Sequence, residues 1–255
     1  MGVILIVSKE ADVLARLHDL FRLSPEDGVQ PHLIYFGGAS RALYYGWLIE
    51  RYGLWDEAFD YVVGRGGGRA RYYVEGLSDV ELFGWDDVEN ELRRFGNNFI
   101  EAYKGYENDI RRWLGRVLGV RTFFDNEYVI LAFNPGRGVF GSIPRVSKVG
   151  RYAVITLYVG VGAGAKEAVD LFVHELIHGL IRLNNLPVPE EYEEELVDAL
   201  CPEGWLSMVL GLSEGVRVEE SGIKARVGEY FSNRHYERVD LITYLMGRAR
   251  GGYVM

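Results

Sequence analysis

The sequence predicts an α+β fold in two parts, an N-terminal α/β region over residues 1–85 and a larger domain over residues 86–255. Three observations carry this. Near the N-terminus, short apolar runs alternate with helical stretches, the pattern of small β-α-β units. From Asp86 to Leu118, apolar and aromatic residues recur in steps of three and four, the period of a long helix. Arg151 to Val159 reads as a strong strand, and Gly160 to Gly164 link it to a segment that is apolar on nearly every helical face.

In chain order, Gly2 to Val7 reads as a buried strand and Glu10 to Leu23 as an amphipathic helix. Ser24, Pro25, Asp27 and Gly28 form a turn signal, and His32 to Phe36 a second short strand. Ser40 suits the cap of a helix running to about Tyr52. Val62-Val63 and Arg69 to Val74 read as strands flanking Gly64 to Gly68. That turn lacks the G-K-[ST] ending of a phosphate loop, and a flexible hairpin is the better reading. Thr122–Phe124 and Tyr128–Phe133 flank Asp125-Asn126-Glu127 as a second hairpin, and 139–146 reads as irregular. The helix after the glycine link ends at Asn184, Asn185 and Pro187. A further helix runs from Glu190 to Cys201 and stops at Pro202. A hairpin around Glu219 to Gly222 and a last helix from about Asn233 to Arg248 complete the chain.

Composition narrows the function classes. The formal net charge of −9 argues against a nucleic-acid-binding surface. A single cysteine, Cys201, excludes an intramolecular disulfide framework. The apolar run Val3 to Val7 is too short for a signal segment or a membrane span, which leads to the expectation of a soluble cytoplasmic protein.

The chemistry lies in Val169 to Leu183, VDLFVHELIHGLIRL. His174 and His178 are four residues apart, so on a helix their imidazoles stand one above the other and can share one zinc ion. Glu175 lies about 100° round the helix, where its carboxylate can reach a water on the metal rather than the metal. H-E-x-x-H is a metallopeptidase signature. Burying two histidines and a glutamate among apolar neighbours requires partners for each. A catalytic zinc usually has three protein ligands. The candidates downstream are Glu190, Glu191, Glu193, Glu194, Glu195, Asp198 and His235.

At these residues the chain resembles the gluzincins, the thermolysin-like metallopeptidases. Their third ligand is a glutamate in an E-x-x-x-D pattern on a following helix, and Glu194 to Asp198 match it. The match covers Val169 to Cys201. The resemblance implies a zincin-like catalytic core: a mixed sheet with an edge strand, the H-E-x-x-H helix and a glutamate helix. Arg151 to Val159 stands where zincins place the edge strand. It further implies one zinc ion per chain, Glu194 as third ligand and Asp198 as acceptor for the free ring nitrogen of His174. Taking Leu196 as zero on a helical wheel, Glu194 falls at about 160°, on the border of the buried side, with Asp198 at about 200°. Glu191 and Glu195 fall further into solvent. Glu193, at about 60°, points to the apolar centre and stays open as a rival ligand.

The implied activity is hydrolysis of peptide bonds in a peptide or protein substrate, with Glu175 as general base. Gluzincins place a Tyr or His oxyanion donor in their C-terminal part, where His235, Tyr230, Tyr236 and Tyr244 are the candidates here. The alternative is a non-enzymatic or self-inhibited zinc-binding protein, for which Glu175 would have no use.

Overall fold

A five-residue apolar strand at the N-terminus needs partners on its edges, and its partner comes from far along the chain. The computed structural model describes residues 2–22, 36–37, 39–82, 84–216 and 222–249. Strand β1 (Gly2–Ile6) leads into helix α1 (Lys9–Arg22). The two-residue β2 (Phe36–Gly37) pairs antiparallel with β3 (Glu81–Leu82), and between them lie α2 (Ala39–Arg51), α3 (Trp55–Val62) and α4 (Ala70–Leu77). Helix α5 (Trp85–Leu118) is followed by β4 (Asn126–Arg137), β5 (Val139–Ser147) and β6 (Tyr152–Val161). The remaining helices are α6 (Ala165–Asn184), α7 (Glu190–Leu200), α8 (Trp205–Leu210), α9 (Gly222–Ser232), a short 3-10 turn at His235–Glu237, and α10 (Leu241–Ala249).

The main sheet has the order β1-β4-β6-β5. The first three strands are parallel and β5 runs antiparallel to β6. The chain is therefore a mixed α/β protein, compatible with the predicted α+β class. It divides into two compact units. One holds residues 1–98 and 125–164, the other 99–124 and 165–255. The first takes residues from both sides of position 85, because β1 finds its sheet partner in β4. All strands among the described residues lie in the first unit; the second is helical. Among the described residues no helix is long and apolar enough to cross a membrane.

In the first unit, Tyr128, Ile130, Ala132, Tyr152, Val154 and Tyr158 turn one face of the sheet onto α1 to α4. The period of two along β4 sends the alternate residues to the other face, where Gly96 of α5 meets Leu5 and Leu131. A Cβ at Gly96 would lie 2.7 Å from Leu5 Cδ1, so this glycine permits a close helix–sheet approach rather than a kink. Helix α5 runs unbroken through it.

Several sequence readings are corrected. Neither Val62-Val63 nor Arg69–Val74 is a strand: Val62 ends α3 and Val63 caps it, Arg69 precedes α4, and α4 buries Ala70, Val74 and Leu77, an i, i+4, i+7 stripe hidden among its aromatics. Its first N–H groups are held by the Glu57 carboxylate, which accepts from Arg69 at 2.8 Å. The glycine turn thus joins two helices, with positive φ at Gly64, Gly66, Gly67 and Gly68. The Asp125–Glu127 hairpin is absent, because Asp125 is bound by Arg151, donating its N–H to the Arg151 carbonyl at 2.6 Å. Residues 139–146 form β5, with a register irregularity between Ser142 and Arg145 around Pro144, where an edge strand tolerates proline. The expected edge strand at 151–159 is interior, since β5 covers its free side. The single last helix gives way to the 3-10 turn and α10, which starts where Asp240 accepts the Thr243 N–H at 2.8 Å. The turn at 24–28 and most of the strand at 32–36 lie outside the described residues, as does the hairpin around 219–222 up to Ser221.

One buried polar network fixes α1 to the sheet. Asp12 and Arg16 are 1% and 4% exposed and joined by two hydrogen bonds of 2.6 and 3.0 Å. Asp12 also accepts the Phe133 N–H at 2.7 Å, and Arg16 donates to the Phe133 carbonyl. Removing one partner of a buried pair strands the other charge. Asp12→Ala is therefore expected to destabilise the protein by about 3–5 kcal/mol, read by chemical denaturation. A loss under about 1 kcal/mol would show that Arg16 finds solvent or another partner.

Candidate metal centre

Helix α6 is apolar all round, and a helix of that kind is buried. From Ala168 to Leu183 only Leu171 and Arg182 escape full burial. His174, Glu175 and His178 are 7%, 6% and 7% exposed. The helix stops where Asn185 turns left-handed, at φ 48°, and the Leu186 N–H bonds back to the Ile181 carbonyl at 3.0 Å.

The two imidazoles stand one helical turn apart, ring centroids 5.0 Å from each other. Each has its Nδ1 committed. His174 donates to the Cys201 carbonyl at 2.7 Å, and His178 to a Glu193 carboxylate oxygen at 2.6 Å. A carbonyl and a carboxylate only accept, so both Nδ1 atoms carry the proton and each Nε2 is the nitrogen able to ligate. Both Nε2 atoms face Glu194. Its Oε1 lies 3.6 Å from His174 Nε2 and its Oε2 3.3 Å from His178 Nε2. Two ligands about 2.0–2.1 Å from one tetrahedral zinc ion are about 3.3–3.4 Å apart; the His178–Glu194 distance is of that size and the His174–Glu194 distance is slightly longer. The ligand atoms of His174, His178 and Glu194 all lie within 4.8 Å of one another, and they are the one such group among the described residues.

The electrostatics agree with a cation site. Burial pulls His174 below its ordinary pKa. Burial pulls on His178 too, but the hydrogen bonds it donates to the Glu193 and Glu194 carboxylates outweigh it and push this imidazole up to about 9. The same hydrogen bonds from His178 lower both carboxyls. The carboxylates thus favour positive charge at His178.

The structure brings together four of the six residues singled out in the sequence: His174, His178 and Glu194 as a group that could hold a metal ion, with Glu175 next to His174 on α6. Asp198 does not take its expected part. Its Oδ1 is 3.9 Å from His174 Nδ1, beyond hydrogen-bond reach, and its Oδ2 pairs with Lys224 Nζ at 3.5 Å. The Cys201 carbonyl has the place instead. His235 is not among the grouped ligands; it stacks on Tyr244 with centroids 4.8 Å apart. Tyr230 is committed as well, its hydroxyl donating to the Val239 carbonyl at 2.9 Å. Of the rival glutamates, Glu193 is the partner of His178, Glu195 accepts the Ile223 N–H at 2.9 Å, and Glu191 is exposed. Sequence reasoning left Glu193 open and missed Cys201, whose contribution is a backbone atom.

These placements separate the acidic residues of α7 by experiment. Glu194→Ala should abolish tight zinc binding, and Glu193→Gln should weaken it about 10–100-fold by loosening His178. Asp198→Asn should leave it within a factor of about 3, well short of an outer-sphere loss. Chelator competition reads all three; a large loss in Asp198→Asn with none in Glu193→Gln would reverse the assignment.

No protein-family model matches the chain, and comparisons with curated proteins and with solved structures return no significant match.

Proposed function

We propose that the chain is a zinc-dependent metallopeptidase of gluzincin type acting on peptide or protein substrates. The observation that carries this reading is the convergence of two histidine Nε2 atoms on Glu194 while both Nδ1 atoms are held by other acceptors. Such a donor set, two imidazoles and a carboxylate, is that of a catalytic zinc site. When bound, zinc supplies a Lewis acid and lowers the pKa of a coordinated water to about 7.

The chain's own residues supply the rest. His174, His178 and Glu194 hold the ion, and Glu193 and the Cys201 carbonyl fix the two rings so that the ligand nitrogens keep their direction. The apolar surroundings of α6 raise the strength of every charge interaction at the site. Glu175 accepts the proton of the attacking water on its carboxylate and returns it to the leaving amine. A site that only held zinc for structure would not require that base one residue from a ligand, which favours the enzymatic reading.

The test is Glu175→Gln, which fills the same space without accepting a proton. It is expected to keep zinc and fold while losing hydrolysis of an unfolded-protein or peptide library by about 10²-fold or more. Unchanged turnover removes Glu175 as base. A zinc-loaded wild-type chain inert across broad libraries contradicts the peptidase reading and favours a non-enzymatic zinc protein.

A further inference from the structure

Asp170 lies four residues before His174 on the same helix, one turn back, and is 4% exposed. A carboxylate at that depth needs its oxygens satisfied, and both are used. Oδ1 accepts the Ser207 hydroxyl at 2.5 Å, and Oδ2 accepts the Glu203 backbone N–H at 3.0 Å. Glu203 lies in the turn that joins α7 to α8, and Ser207 in the first turn of α8. The joining turn is tightly constrained. Glu203 is left-handed at φ 54°, a conformation that a residue with a side chain keeps only where its surroundings hold it. A Cβ at Gly204 would lie 2.4 Å from the Leu200 carbonyl carbon. The turn opens with Cys201, whose carbonyl receives the His174 N–H, and whose own N–H closes the end of α7 on the Val197 carbonyl at 2.8 Å.

We infer that Asp170 is a positioning residue for the metal: by clamping residues 203–207 to α6 it fixes the Cys201 carbonyl that orients His174, and with it the end of the helix that carries Glu194. The pattern that matters in the sequence is then D-x-x-x-H-E-x-x-H, with the aspartate acting through a backbone atom 31 residues further on. This rests on the zinc reading above. It separates orientation from ligation: Asp170 touches neither the ion nor the substrate.

The experiment compares full-length wild type, Asp170→Asn and Ser207→Ala. Three quantities are read: zinc affinity by chelator competition, the absorption spectrum of the Co²⁺-substituted protein, and the His174 Nδ1–H resonance of the metal-free protein. Asp170→Asn is expected to weaken zinc about 10–100-fold, alter the Co²⁺ bands and move the His174 resonance with its far-UV circular dichroism unchanged. Ser207→Ala, which removes one of the two clamps, should do the same to a smaller extent. Lower stability with unaltered affinity, spectrum and resonance makes Asp170 merely structural and overturns the inference. If Asp170→Asn does not fold, wild-type values in Ser207→Ala overturn it equally. A wild-type chain without zinc affinity refutes the zinc reading instead; the His174 resonance then still decides whether Asp170 orients that ring, a shift supporting the clamp and no shift ending it.

Discussion

The constraint on which the second unit depends is the burial of two imidazoles on a helix whose other buried residues are mostly apolar. A buried polar group without a partner costs several kcal/mol, of order 2–7. The hydrogen-bond partners of the two imidazoles come from another element. Helix α7 brings Glu193 and Glu194 to the rings from one side, and the turn after it brings the Cys201 carbonyl. The placement of α7 is read most directly from these contacts: Glu193 meets the His178 Nδ1, and the adjacent Glu194 faces both Nε2 atoms.

This division explains why the acid run at Glu190–Glu195 is so dense. A solvated first turn accounts for Glu190 and Glu191 through the helix dipole alone. Glu193, Glu194 and Glu195 each have a separate structural commitment, to His178, to the paired Nε2 atoms and to the Ile223 N–H. Adjacent glutamates on a helix point about 100° apart, so three consecutive ones can serve three different neighbours.

The legible part of the site was the part written in side chains at helical spacing. His174, Glu175 and His178 were readable because a period of 3.6 puts i and i+4 together whatever the rest of the fold does. Glu194 was singled out through the resemblance; the wheel set Glu195 further into solvent, whereas in the structure Glu194 is exposed and Glu195 only partly so. Asp198 was assigned through the resemblance, and in the structure it stands 3.9 Å from His174 Nδ1 while the Cys201 carbonyl takes the hydrogen bond. The Cys201 carbonyl was invisible because every residue has a carbonyl, and only the turn geometry selects one. The fold shows the same divide. Helix α5 and strand β6 announced themselves by long periodic runs. The strands expected at Val62–Val63 and Arg69–Val74 are instead the end of α3 and the start of α4, because a short stretch rich in Val and Tyr has too few residues to show its period, and the Glu57 carboxylate holds the N–H groups where α4 begins. Strand β5 carries a proline and a register break, the marks of an edge strand that sequence alone reads as a loop.

The central claim is that one zinc ion sits between His174, His178 and Glu194. X-ray absorption at the zinc edge on the zinc-loaded chain tests it most directly. The account predicts two imidazole nitrogens at about 2.0–2.1 Å, the remaining scatterers oxygen at about 2.0–2.2 Å, and no sulfur. A scatterer at about 2.3 Å would bring in Cys201 and contradict it, as would a single imidazole in the first shell.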